Sequence, residues 1–166
     1  MSSGRKIRLG LFPIVFIVLT LFVVSTVLAD DLTGKPRIID GDTIELAGER
    51  VRLHGIDAPE SKQICQRNDD SEYRCGDMAT FALAEIIETH WITCKGEIRD
   101  RYNRRIAVCY AGPYDINAKM VERGWAVAYR KYSMDYVGEE EDAKGRKVGM
   151  WQGKFVKPWE WRKGVR

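Results

Sequence analysis

A largely apolar run without a charged residue extends from Leu9 to Leu28, and after Asp30 the pattern changes to short periodic stretches divided by turns. Pro36 to Leu46 reads as a first strand pair bent at Asp40-Gly41-Asp42, with Thr43, Ile44 and Leu46 alternating after the bend. Ala47-Gly48-Glu49 turns the chain into a strand from Arg50 to Ile56, on which Arg52 and Leu53 face opposite ways. Asp57 ends that strand and Ala58-Pro59 turns again. Ser61 to Arg74 is polar and reads as a surface excursion. Helical spacing then predicts a helix from Gly76-Asp77 to Thr89, capped by Asp77 and burying Met78, Phe81, Ala82 and Ile86. Trp91–Ile98 and Arg105–Tyr110 form a hairpin about Arg101 and Tyr102. Asp115 caps a second helix that buries Ile116, Met120 and Val121 and stops at Gly124. Trp125–Tyr129 fits a last strand, and Ser133–Lys147 a third helix with acids early and bases late. Five short strands with about three helices predict an α+β, mainly β domain, with an OB-like five-stranded barrel as the leading topology.

The apolar run changes the domain count. Arg5, Lys6 and Arg8 precede it and Val27-Leu28-Ala29 follows, the order of a secretory signal peptide over residues 1–29. Its length also suits an uncleaved anchor through residues 9–28, the one circumstance in which a membrane enters. Both readings place residues 30–166 outside the cytoplasm, periplasmic or secreted. Three of the 27 basic residues lie before Asp30, leaving 24 against 24 acids, so net charge gives no argument for a nucleic-acid partner. Any such argument is local.

Cys65, Cys75, Cys94 and Cys109 have no C-x-x-C spacing, and in an exported chain an even count favours disulfides over zinc. Of three possible pairings, Cys65–Cys75 staples the polar excursion, and Cys94 falls opposite Cys109 if the hairpin is symmetric.

The candidate chemistry lies in Asp40, Asp42, Asp57 and Glu60 gathered around Arg52, with Asp100-Arg101-Tyr102-Asn103-Arg104 at a hairpin tip. Asp-Gly-Asp-Thr, Val-Arg-Leu…Ile-Asp-Ala-Pro-Glu, Asp-Arg-Tyr-Asn-Arg and Met-Val-Glu-Arg-Gly-Trp-Ala occur in that order. Together they resemble the staphylococcal nuclease (thermonuclease) family over a core of about 36–153. The resemblance implies a five-stranded OB barrel with three helices and a Ca2+-dependent nuclease acting on DNA and RNA. It implies Asp42 and Asp57 as metal ligands, the Ala58 backbone carbonyl as a third, and Asp40 acting through water. Ala58 stands where the family often has threonine. Glu60 matches the general base, and Arg52 and Arg104 the phosphate-binding arginines. Tyr129 and Tyr132 lie near the family's nucleotide-pocket tyrosines, offset by about one residue. No protein partner is implied, and a monomer is expected. The competing functions are a non-catalytic OB-fold nucleic-acid-binding module in the envelope, and an envelope interaction domain whose charges are solvated.

The residue types suit the chemistry. Phosphodiester hydrolysis adds negative charge to the phosphoryl oxygens, and an arginine fork grips two of them at once without losing its charge. An all-oxygen carboxylate set suits calcium or magnesium over zinc or copper.

Overall fold

The computed structural model describes residues 31–166, so the leader and anchor expectations fall outside the described residues. The chain runs β1 (Leu32–Gly34), β2 (Arg37–Ile38), β3 (Thr43–Leu46), β4 (Glu49–Leu53), β5 (Ile56–Asp57), β6 (Ile64–Gln66), β7 (Glu72–Arg74) and α1 (Cys75–Ile87). It continues through β8 (Ile92–Lys95), β9 (Arg105–Ala111), β10 (Tyr114–Asp115), α2 (Ile116–Glu122), β11 (Val127–Ala128) and α3 (Val137–Arg146). A 3-10 turn at Gly149–Gln152 and a short helix α4 (Pro158–Trp161) complete it.

The main sheet has the order β1-β8-β9-β4-β3-β2, with β10 added on β9. All its pairings are antiparallel except β4 with β9, where Arg52 stands beside Ile106. β1 and β2 are nearly continuous in the chain yet pair with β8 and β3 respectively, so one bent segment links the two ends of a curled sheet. The resulting class is α+β and mainly β. Inside the curl, Ile44, Leu46, Val51, Leu53 and Ile92 meet Leu83 of α1 and Ile116 and Met120 of α2, all fully buried. Burying one such side chain contributes roughly 1.5–3 kcal/mol. A second, smaller core gathers Cys65, Cys75, Val127 and Met150 beneath Trp151, Phe155 and Trp159.

Both expected disulfides are present. Cys65–Cys75 ties β6 to the start of α1, and Cys94–Cys109 joins directly opposed residues of β8 and β9. The second helix also matches its sequence signals, with the Asp115 side chain accepting from the Ala118 N–H at 2.9 Å.

Four expectations need correction. Ser61–Arg74 is a hairpin of β6 and β7 rather than an unstructured excursion, held by Lys154 pairing with Gln66 from the tail. The Arg50–Ile56 strand breaks at Gly55, whose φ of 71° lies in the left-handed region, and β5 then pairs with β11. The first helix begins at Cys75, so Asp77 lies in its first turn and does not cap it. Its buried face is Ala79, Ala82, Leu83 and Ile87, while Met78 and Phe81 are 40% and 57% exposed. The disulfide fixes the helix phase, and the small alanines let it lie close to the sheet. Finally, the described residues hold four α-helices rather than about three, because Pro158 starts one in the tail.

Candidate active site

The pairing of β3 with β4 places Thr43 opposite Arg52, which brings Asp42 within reach of the guanidinium. β5 follows β4 after one tight turn and returns Asp57 to the same place. Arg52 therefore bridges both acids: Nη1 donates to Asp42 Oδ1, and Nη2 donates to Asp57 Oδ1 at 2.7 Å and to the Ile56 carbonyl at 3.4 Å. Asp42 Oδ1 also accepts from the Thr43 hydroxyl at 3.1 Å, and Oδ2 from the Ala58 N–H at 2.9 Å. Ala58 thus contributes its amide to Asp42, holding the β5 end against the Asp40–Asp42 bend. Asp40 Oδ1 accepts the Asp42 N–H at 3.0 Å.

Arg104 enters from the other side. The β8–β9 hairpin tip closes on Asp100, whose Oδ1 accepts the Tyr102 and Arg104 N–H groups at 2.9 and 3.0 Å. Oδ2 of Asp100 then takes Arg104 Nε at 2.8 Å and Nη2 at 2.6 Å. This clamp leaves Nη1 directed at the Thr43 hydroxyl, 3.4 Å away. Thr43 therefore connects Arg104 to the Asp42–Arg52–Asp57 cluster.

Glu60 lies beyond the Ala58-Pro59 turn, where α1 packs against its backbone. A Cβ on Gly76 would come within 1.9 Å of the Glu60 carbonyl, so only glycine lets the helix start approach so closely. The Glu60 N–H donates to the fully buried Gln63 side chain at 3.2 Å, and the Gln63 N–H returns to the Glu60 carbonyl at 2.7 Å. Its carboxylate meets an arginine that the sequence motifs do not include. Arg162, just past α4, donates through Nη1 to Glu60 Oε1 at 2.6 Å and to Asp57 Oδ1 at 3.1 Å. Its Nη2 donates to Asp57 Oδ2 at 2.8 Å.

Burial, the largest influence, pushes the Asp57 carboxyl above its usual range, although the Arg162 hydrogen bond and both guanidinium charges pull it back. Asp40 is pushed up to about 6, first by burial and then by the neighbouring Asp42 charge. For Arg52, burial opposes ionisation, but the Asp42 and Asp57 charges outweigh it and hold the guanidinium firmly protonated.

Asp42, Arg52, Asp57, Glu60 and Arg104 are thus brought to one rim of the sheet, with Asp40 behind Asp42. Tyr129 and Tyr132 meet edge to face at 4.8 Å, but Tyr129 is covered by Trp159, stacked parallel at 5.2 Å. Tyr132 is exposed. Three contributors are absent from the sequence expectation: Thr43 as connector, Asp100 as clamp and Arg162 as third guanidinium. Asp100 is legible in the hairpin tip itself. Arg162 stands in an aromatic, basic tail whose spacing signals only packing.

The donors available to a cation are all carboxylate or backbone oxygen, which suits a hard divalent ion in type. Among the described residues no three His, Cys, Asp or Glu side chains converge as a ready-made metal cage. The acids converge on arginines instead, and Arg162 stands as the cation between Asp57 and Glu60.

A curled, mainly β sheet thus carries buried acids and arginines together at one rim. A family model described as staphylococcal nuclease homologue matches residues 50–153. The chain is 37% identical over 127 residues to the succinoglycan biosynthesis protein ExoI of Rhizobium meliloti (strain 1021), covering 75% of this chain and 66% of that protein. It is 35% identical over 157 residues to an uncharacterized endonuclease of Escherichia coli O157:H7, covering 89% and 96% respectively. A micrococcal nuclease of Shigella flexneri is 32% identical over 160 residues, covering 85% and 86%. The chain belongs to the staphylococcal nuclease family.

Proposed function

We propose that this chain is an exported Ca2+-dependent nuclease that hydrolyses phosphodiester bonds of DNA and RNA with little sequence preference. The reading of a nuclease hydrolase is supported by the family match and by relatives named as nucleases. The observation that carries the mechanism is the convergence of Arg52, Asp42, Asp57, Glu60 and, through Thr43, Arg104 on one rim. The OB-type five-stranded barrel is the topology proposed for residues 30–166, on the ground that β1 and β2 link the sheet's two ends. Export through residues 1–29 accords with two disulfides, which persist in oxidising compartments.

In this mechanism Arg52 and Arg104 grip the scissile phosphate from two sides. Their donors are fixed by Asp42, Asp57 and Asp100, so little reorganisation is needed as negative charge grows on the phosphoryl oxygens. Asp42 and Asp57, with the Ala58 carbonyl and with Asp40 through water, would hold a calcium ion, which would supply Lewis-acid polarisation of the phosphoryl oxygen. Glu60 takes the proton of the attacking water as its oxygen bonds to phosphorus and the ester bond breaks. Arg104 neutralises the departing oxygen in this reading.

The test is degradation of single-stranded DNA by the purified chain with calcium and with chelator. Glu60→Gln should lose roughly 10²–10⁴-fold in rate while circular dichroism stays unchanged. An undiminished rate in that variant, or full activity in chelator, removes this mechanism.

A further inference from the structure

Every carboxylate oxygen of the two buried acids already accepts a protein donor. Asp42 Oδ1 takes Arg52 and Thr43, and Oδ2 takes the Ala58 amide. Asp57 Oδ1 takes Arg52 and Arg162, and Oδ2 takes Arg162. Both oxygens of Asp57 are held by arginines, so a divalent ion drawing on Asp57 competes with a guanidinium for them. The two candidates differ. Arg52 lies within β4, nearly covered, and answers both acids. Arg162 follows a helix of four residues, its side chain is 35% exposed, and it serves Asp57 and Glu60 alone.

The tail backbone has its own anchors. Gln63 Nε2 donates to the Val156 carbonyl at 2.7 Å, Lys154 pairs with Gln66, and Trp159 stacks on Tyr129. The tail can therefore stay docked while the Arg162 side chain swings out.

We propose that Arg162 is a built-in competitor of the divalent cation, occupying the Asp57–Glu60 carboxylates until the ion displaces it and thereby setting the metal affinity of the centre. This rests on the metal-dependent reading above. Displacement has a second consequence. Glu60 Oε1 is bound at 2.6 Å by the Arg162 guanidinium, and the departure of Arg162 frees that oxygen to face the attacking water. Arrival of the ion and release of the base then become one event. Competition by an internal ligand raises the apparent dissociation constant by the docking equilibrium, without altering the ligands themselves.

Calcium binding to the full chain, followed by calorimetry without substrate, tests the idea. Arg162→Gln should bind calcium about tenfold more tightly than the unaltered chain, the factor expected if the docked state is favoured by roughly 1.4 kcal/mol. Arg162→Lys keeps the charge but loses the fork, so it should fall between the two. Arg166→Gln is the control, since Arg166 donates only to the Trp161 and Val165 carbonyls. In the unaltered chain, calcium should also move the Arg162 guanidinium resonance, identified by its loss in Arg162→Gln, from a protected to a solvent-exposed position. Equal or weaker calcium binding by Arg162→Gln, or an Arg162 resonance that calcium leaves in place, overturns the competition while the nuclease reading stands. Calcium binding by none of the chains overturns both.

Discussion

Asp57 and Glu49 each accept from two arginines, and their environments drive them in opposite directions. Asp57 is wholly buried between Arg52 at 2.7 Å and Arg162 at 2.8 Å, and burial still pushes its carboxyl above the ordinary range. Glu49, at the start of β4, is 30% exposed and takes Arg99 Nη2 at 2.6 Å and Arg105 Nε at 3.2 Å. There the hydrogen bonds from Arg105 and Arg99 hold the carboxyl below its usual value. Partner number is the same, so desolvation decides the sign. The partly exposed trio pins the two strands where they enter the β8–β9 hairpin tip, at little cost. The buried cluster carries a desolvation penalty that an apolar core would avoid, and in the proposed mechanism that penalty falls where charge meets the phosphate.

The sharpest way to break this contrast is to remove one arginine from each carboxylate. Arg52→Gln leaves two buried acids facing each other with a single guanidinium on one of them. It should lower unfolding free energy by about 3–5 kcal/mol in urea melts and reduce nuclease rate by at least ~10²-fold. Arg99→Gln should cost no more than about 1 kcal/mol and leave the rate unchanged. Similar stability losses in the two variants would mean that burial is not what separates the sites.

Asp100 offers an intermediate case. Burial works against its ionisation, yet the hydrogen bonds from Arg104 outweigh it and keep the carboxyl below its usual range. Its role is orientation of Arg104, so Asp100→Ala should reduce kcat/KM roughly tenfold, within the range that misplacing a positioned group costs. The stability loss should stay near 1 kcal/mol. A rate unchanged by Asp100→Ala would show that Arg104 finds its place without the clamp.

The same contrast explains what the sequence made legible. Strand alternation around Val51-Arg52-Leu53 and the turn residues at Asp40-Gly41-Asp42 are local signals, and the acid–arginine cluster is built almost wholly from them. The Cys94–Cys109 pairing followed from hairpin symmetry, again local. What escaped depends on partners distant in sequence. Met78 and Phe81 keep helical spacing, but the phase of α1 is set by Cys75 and by Gly76 packed on Glu60. Arg162 meets Asp57 across 105 residues, and nothing in the tail's composition distinguishes it from Lys163 or Arg166. The β6–β7 hairpin is likewise completed by a tail residue, Lys154, pairing with Gln66.

The smallest effect is the most direct check on sign. The folded Glu49 carboxyl titrates below its unfolded value, so its contribution is complete above about pH 4.3, the usual value for glutamate. As pH falls, the unfolded chain takes up this proton first, and the contribution disappears as the folded carboxyl protonates in turn. In calcium-free protein, Glu49→Gln should therefore cost about 0.5 kcal/mol at neutral pH, with the difference from the unaltered chain shrinking towards zero as pH falls below about 4.3. Urea midpoints between neutrality and acid read this difference directly. A difference that instead grew on acidification would mean that Glu49 is dominated by burial, as Asp57 is, and the distinction between the two carboxylates would be lost.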